Sequence, residues 1–326
     1  MTAAFLPPRP VEGPDDLDIV AIGEAMVEFN QQPGNISVSS AYVQGFGGDT
    51  SNMVIAASRQ GARTAYVSRI GDDAFGGLLQ DLWRREGVDA SAVAVVPGAQ
   101  TGAYFVTHGP GGHAFSYARR HSAATGLTAA DIPDSLLART RMLHASGISL
   151  AISSSAANAT LSAMERAADV GVMVCFDPNV RPSLWPMPMA RALVGAAARL
   201  CDLFLPGVDD LRLLAGVSTP EEGLAWCRAQ GVKTTVLKDG PRRVWIDHDG
   251  HVTSVPAFAV QVVDASGAGD CFDGALEARL AVGDTLTDAV SYAAAAAALS
   301  ATGLGAVAPV PAEEAVRAFL AERGAA

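Results

Sequence analysis

The chain has 326 residues, 49% of them apolar and 17% charged, a composition that excludes a disordered protein and permits a large core without disulfide staples. Its 34 acidic side chains exceed the 23 basic ones, for a net charge of -11, which excludes non-specific nucleic-acid binding because that needs Lys and Arg to displace counterions. Small anionic ligands stay open, since a few placed arginines, helix N-termini and amides hold them whatever the net charge.

Residues 1–16 carry four prolines and no basic stretch followed by an apolar one. They read as a flexible tail, not a secretory signal. A continuous apolar run at 18–23 predicts a strand buried on both faces. Similar runs recur at 64–69, 141–145, 172–176, 203–205 and 234–237. Apolar residues at three- and four-residue spacing predict helices over 50–61, 74–86, 155–170, 189–199 and 220–230. This alternation argues for a mostly parallel sheet with helices on both faces. Two regions break it. Residues 28–46 and 93–119 read as short strands between Gly, Pro and Asn turns, with a hairpin across 109–112. They predict a small antiparallel sheet forming a lid over a cleft; an edge extension of the main sheet is the alternative. From 264 onward the pattern is mainly helical. The alanine-rich run 293–299 reads as a packed helix, and no membrane partner is expected. With no repeat and no linker, the whole of 1–326 reads as one catalytic unit.

Cys175, Cys201, Cys227 and Cys271 form no C-x-x-C pair. They read as reduced, buried thiols of a cytoplasmic protein, with a redox role for Cys271 as the lesser reading. His108, His113 and His121 have no zinc-ligand spacing. His144 reads as a core or strand-end residue, and Trp185, Trp226 and Trp245 as packing.

The sharpest segment is Val263-Asp-Ala-Ser-Gly-Ala-Gly-Asp-Cys-Phe272. It follows a strand-like run and opens a helix. Glycines there allow tight backbone geometry, and successive amides at a helix N-terminus make an anion site. An aspartate at that point would repel a phosphate. Asp270 either caps the helix or takes a proton from a hydroxyl while the amides hold a phosphoryl group. There is no G-x-x-x-x-G-K-[ST] and no G-x-G-x-x-G after the first strand, which counts against a P-loop enzyme and a dinucleotide oxidoreductase.

This segment resembles the C-terminal D-T-x-G-A-G-D-x-F motif of the ribokinase/PfkB carbohydrate kinases. Gly45-Phe-Gly-Gly-Asp-Thr-Ser-Asn52 is similar to their N-terminal glycine motif. Arg69-Ile-Gly-Asp-Asp-Ala-Phe-Gly76 and Val236-Leu-Lys-Asp-Gly240 match further family segments. Within the family the chain looks most like the 2-keto-3-deoxygluconate kinases, on 22–28, 47–50, 146–152 and 177–185. The resemblance implies an α/β, ribokinase-like fold: a central, mostly parallel sheet flanked by helices, with a small β-sheet lid. It implies Asp270 as the base and the amides of Gly267, Ala268 and Gly269 as the anion hole. Asn179, Lys238, Gly240 and Ser266 would join Gly267 and Gly269 on the ATP side. Gly47, Gly48, Asp49 and Asn52 would line the sugar pocket, with Tyr104, Tyr117 and Arg119 reaching it from the lid and Arg181 from the main body. Glu24 either touches the sugar or meets solvent.

The implied cofactors are ATP and Mg2+, with potassium activation through loops near Asp264 and 303–305. Two positions depart from the pattern. Ala265 replaces a Thr. The family's Asn-x-x-Glu segment falls on Gly207-Val-Asp-Asp210, leaving Asp210 to bind metal through water. A guanidinium fork matches a carboxylate, so Arg119 and Arg181 in one cleft would favour a sugar acid or a polyphosphate, and neither alone decides the substrate. The alternatives are a solvated charge for Arg119 and a salt bridge to Asp177 for Arg181. The expected reaction is ATP-dependent phosphorylation of the C6 hydroxyl of 2-keto-3-deoxygluconate, in sugar-acid catabolism of the Entner–Doudoroff type. The alternatives are a fructokinase or ribokinase on a neutral sugar, a nucleoside kinase, or a non-catalytic sugar-binding protein. Tyr42, Val43 and Phe46 hint at a homodimer through the lid.

Overall fold

A computed structural model describes residues 5, 8, 9, 13, 16–31, 41–109 and 112–324. The expected tail at 1–16 and residues 32–40 of the expected lid lie largely or wholly outside these. The strands are β1 (Leu17–Ile22), β2 (Met26–Gln31), β3 (Tyr42–Gly47), β4 (Thr64–Gly71), β5 (Val93–Val96), β6 (Gly102–Gly109), β7 (Gly112–Ala118), β8 (Thr140–Ser146), β9 (Met173–Asp177), β10 (Leu203–Phe204), β11 (Thr234–Asp239), β12 (Arg243–His248) and β13 (His251–Pro256). The helices are α1 (Asp49–Arg59), α2 (Ala74–Arg85), α3 (Asp134–Ala138), α4 (Gly147–Ala151), α5 (Ser154–Asp169), α6 (Met187–Leu200), α7 (Val208–Ala215), α8 (Pro220–Ala229), α9 (Ala268–Val282), α10 (Leu286–Ser300) and α11 (Glu313–Glu322).

Nine strands form the main sheet in the order β13-β12-β11-β10-β9-β8-β1-β4-β5. From β11 to β5 every pair is parallel, and β12 and β13 add an antiparallel hairpin at one edge. Strand β1 is buried along its whole length. Ile19 and Ala21 face a core shared with α1, α9, α10 and α11, while Val20 and Ile22 face a second core with α5, α6, α7 and α8. Helix starts follow local chemistry. Asp73 caps α2 by accepting from Gly76 N at 2.8 Å, Ser153 caps α5, and Thr219 with Pro220 opens α8. The alanine run lies in the buried α10, and no helix among the described residues is long and apolar enough to cross a membrane.

The second sheet, the lid, has the order β3-β2-β6-β7. Two expectations need correction. The lid is mixed, because β2 and β6 pair in parallel while β2–β3 and β6–β7 are antiparallel. Both β2 and β6 leave the same end of the main sheet, so they run the same way. Residues 93–96 belong to the main sheet, where Val93 pairs in register with Ser68 of β4 and packs on the core. The lid hairpin closes between Gly109 and Gly112 as expected, although residues 110–111 themselves lie outside the described set.

Candidate active site

The strands β1, β8, β9 and β11 all end at one edge, where open parallel sheets place their ligand crevices. The N-terminus of α9 arrives at the same edge. Its cap is Gly267, at φ 72, and a Cβ there would sit 2.9 Å from Ala306. The turn before it is tied by Asp264, whose carboxylate accepts from Ser266 N and Gly305 N, both at 2.9 Å. Ala268 N donates back to Ala265 O at 3.2 Å, so that amide closes the turn and is a weaker member of the expected anion hole. The other first-turn amides have no acceptor within the helix and give this end a partial positive charge.

Asp270 lies in that first turn. Asn52 Nδ2 donates to Asp270 Oδ2 at 2.8 Å. The contact exists because α1 and α9 nearly touch: a Cβ on Gly274 would lie 2.3 Å from Met53 O. Burial pushes the Asp270 carboxyl up to about 7, with Asp49 and Asp177 adding to the rise; the Asn52 bond and the Lys238 charge pull the other way. A carboxyl poised near neutrality suits proton abstraction better than capping.

Around it lies a connected polar network. Asn179, in a left-handed conformation at φ 30, donates its amide to Asp177 Oδ1 at 2.9 Å and its Nδ2 to Asp49 Oδ2 at 3.0 Å. Lys238, at the end of β11, donates to Asp177 and to Asp273. Asp210 accepts from Val180 N and Gly207 N, both at 2.8 Å. With both oxygens so used, it fits a metal only through water. No cluster of three or more His, Cys, Asp or Glu that could hold a metal occurs among the described residues. Burial, and then Asp177, pushes the Asp210 carboxyl up to about 6. Gly240 is exposed, with open space beside its Cα.

The lid side holds Gly47, Gly48 and the start of α1. Gly47 ends β3 against the Tyr104 hydroxyl, and Gly48 caps α1 ahead of the buried Asp49. Tyr104 is buried and donates to Glu28, itself buried, and its ring lies 5.9 Å from that of the exposed Tyr117. Arg119, expected to reach the sugar from the lid, has a partner within the protein. Its guanidinium is ion-paired to Glu24, whose carboxylate is 0% exposed and also accepts from Ser122 Oγ. The Arg119 charge is thus already met inside the protein. Arg120 points to solvent. Arg181 is exposed; Asp177 pairs with Lys238, no ion pair to Arg181 forms among the described residues, and its Nη1 donates to Val180 O at 3.2 Å.

The model of the pfkB family carbohydrate kinases matches residues 16–313. The chain belongs to this family. It is 35% identical over 289 residues to a 2-dehydro-3-deoxygluconokinase of Thermoproteus tenax, covering 87% of this chain and 88% of that one. It is 33% identical over 310 residues to Fructokinase-1 of Oryza sativa subsp. japonica, covering 90% and 95%. Among solved structures, a fructokinase double mutant of Vibrio cholerae O395 with fructose, ADP and potassium bound matches with a TM-score of 0.84 at 29% identity, covering 94% of this chain and 99% of that one. An E. coli structure in complex with ATP and Mg2+ matches with a TM-score of 0.86 at 27% identity, covering 93% and 99%. The expected kinship with the keto-deoxygluconate kinases is therefore matched by kinship with fructokinases, and pfkB-family membership is what both share.

In this pfkB-family kinase the structure brings Asp49, Asn52, Asn179, Lys238 and Asp270 into one network. It sets Tyr104 and Arg119 in the lid wall and leaves Tyr117, Arg181 and Gly240 at the surface. Sequence reading missed Asp177 and Asp273 as members of the network and Glu28 as the lid partner of Tyr104. Asp273 had a signal, since it follows Asp270 by one helical turn. His144 is a core residue as expected, its Nδ1 2.7 Å from the fully buried Glu277. Cys271 is buried and its thiol is pushed up to about 12, chiefly by burial, so the redox reading fails.

Proposed function

We propose that this kinase transfers the γ-phosphoryl group of ATP to a hydroxyl of a neutral ketohexose of the fructose type. The observation that carries the acceptor class is the internal Arg119–Glu24 pair, which leaves the lid without a spare cation for a carboxylate. Kinship with fructokinases supports the same reading. Asp270 accepts the hydroxyl proton as that oxygen attacks the γ-phosphorus and the bond to the leaving ADP oxygen breaks. The α9 amides stabilise the equatorial oxygens as charge develops. Asn52 orients the Asp270 carboxyl, and Asn179 fixes Asp49 beside it. Mg2+ bound with ATP would neutralise polyphosphate charge, with Asp210 holding one of its waters. Lid closure excludes water that would otherwise hydrolyse ATP.

A potassium site near the turn joining Asp264 to Gly305 is part of the proposal, supported by the ion in the Vibrio structure. So is a single catalytic unit in the cytoplasm, supported by four free cysteines. Exposed Tyr42, Val43, Phe105 and Phe115 support self-association through the lid.

A second reading is favoured by Arg181. Its exposed guanidinium could meet the carboxylate of 2-keto-3-deoxygluconate, and the Thermoproteus relative carries that name. ADP release with Mg-ATP across fructose, ribose, 2-keto-3-deoxygluconate and adenosine separates the two. Turnover on fructose, lost in Asp270→Asn and kept in Arg181→Ala, is the expected result. Turnover on the keto-deoxy acid alone, lost in Arg181→Ala, would establish the second reading. Sugar binding without any turnover would leave the non-catalytic alternative standing.

A further inference from the structure

Lys238 is only 16% exposed, and its Nζ sits between two carboxyl groups, 3.0 Å from Asp177 Oδ2 and 2.8 and 3.0 Å from the two oxygens of Asp273. Three elements meet at this point. Lys238 lies near the end of β11, Asp177 closes β9, and Asp273 stands one turn beyond Asp270 on α9. A Cβ on Gly269 would be 3.9 Å from Nζ. The ammonium therefore borders the first turn of α9, where the helix amides lack acceptors.

Burial works against a charged lysine, yet the two carboxyls hold this one protonated. They do so unequally. Burial would raise Asp177, but the Lys238 charge holds it below the usual carboxylate range. Burial pushes Asp273 well above that range despite the same neighbour. The one ammonium is thus held from two sides, by Asp177 on β9 and by Asp273 on α9. Breaking such a pair from one side leaves an unpaired buried charge. A free lysine side chain has four rotors to order before it can serve an anion, and a pinned one has none. Groups fixed in advance where charge develops are the ones that accelerate a reaction.

We propose that Asp273 and Asp177 are positioning residues that hold the Lys238 ammonium at the mouth of the α9 anion site, where it neutralises charge on the transferring phosphoryl group. Asp273 then sets the rate through Lys238 without touching either substrate. This rests on the reading of the α9 N-terminus as the phosphoryl site. The bland reading is a strut that merely ties α9 to β9 and β11.

A double-mutant cycle on the full chain decides between them, with kcat, the KM for ATP, the KM for the sugar and the melting temperature measured for each variant. Lys238→Met should lower kcat by about 10²-fold, the size of a lost oxyanion donor. Asp273→Asn, which keeps the shape, should lower kcat about tenfold with the sugar KM unchanged. In the Lys238→Met background, Asp273→Asn should change kcat by less than about twofold, because its route to the chemistry is gone. An equal loss in both backgrounds overturns the proposal. If Lys238→Met does not fold, Asp273→Asn alone is decisive: a fall in melting temperature with parallel losses in kcat and both KM values means a strut. Wild-type turnover alongside an additive cycle removes this inference only. A wild-type chain that turns over no sugar removes the site reading and this inference together.

Discussion

Asp270 binds its proton more tightly when the chain is folded than when it is unfolded, and this has two measurable results. The first concerns rate. With its carboxyl near 7, kcat should climb with pH through neutrality, and Asp270→Asn should lower it by about 10²–10⁴-fold. The second concerns stability. The unfolded carboxyl gives up its proton near 4 and the native one near 7. Between these values the native state binds more protons, so its stability falls as pH rises from about 4 to about 7, and the deficit persists above that. Asp270→Asn removes this slope. Thermal melts at pH 5 and pH 8 should show the variant gaining on the wild type at the higher pH; no difference between the two pH values would mean that Asp270 is not held up by its surroundings. At this scale the sequence was readable where one contiguous motif carried its own backbone geometry, as at 264–272. It was not readable where a charge found its partner across the chain. Glu24 and Arg119 are 95 residues apart, and nothing local in either segment announces that each satisfies the other.

The α9 N-terminus depends on one backbone position more than on any side chain. Gly267→Ala would put a Cβ into Ala306 while forcing a left-handed φ on alanine. The strain is of order 1–3 kcal/mol, and relief would come by rotating the amides away from the phosphoryl site. We expect a lower melting temperature together with a raised KM for ATP. A variant that melts earlier but binds ATP as before would show that the cap is structural only. The elements themselves were mostly predictable, because buried strands and amphipathic helices have different periods. The β12–β13 hairpin was not predicted, although Asp249-Gly250 between the two strands takes the paired positive-φ turn, at φ 49 and 82, that closes two-residue hairpins. Strand β13 is exposed at all but Val255, so the second arm lacked the apolar alternation that makes such a turn stand out. The parallel join of β2 to β6 was hidden for another reason. Pairing direction is set by where each strand leaves the main sheet, and no single segment records it.

Taken whole, the described molecule is a nine-stranded sheet with a four-stranded second sheet, and on the proposed reading ligands should bind between them. Mg-ATP and an accepted sugar, each at 100 times its Kd, should stabilise the fold by about 2.7 kcal/mol apiece. Differential scanning fluorimetry reads this directly, and a sugar that leaves the melt unshifted at saturating concentration would not be one the folded chain binds. Fold class was legible from the alternation of elements, whereas acceptor choice was not, since on the proposed reading it turns on whether Arg119 is already paired. The strand order has a further consequence, for how the chain comes to fold. Strand β1 is made earliest of the described strands, yet it lies in the interior of the sheet, and its two neighbours begin at Thr64 and Thr140. Its buried, largely apolar surface must stay uncovered until the second of these has been made. Long-range parallel pairing of this kind is slow and leaves sticky edges exposed meanwhile. The newborn chain should therefore lean on chaperones over its first half, and fragments ending before β8 should aggregate when expressed.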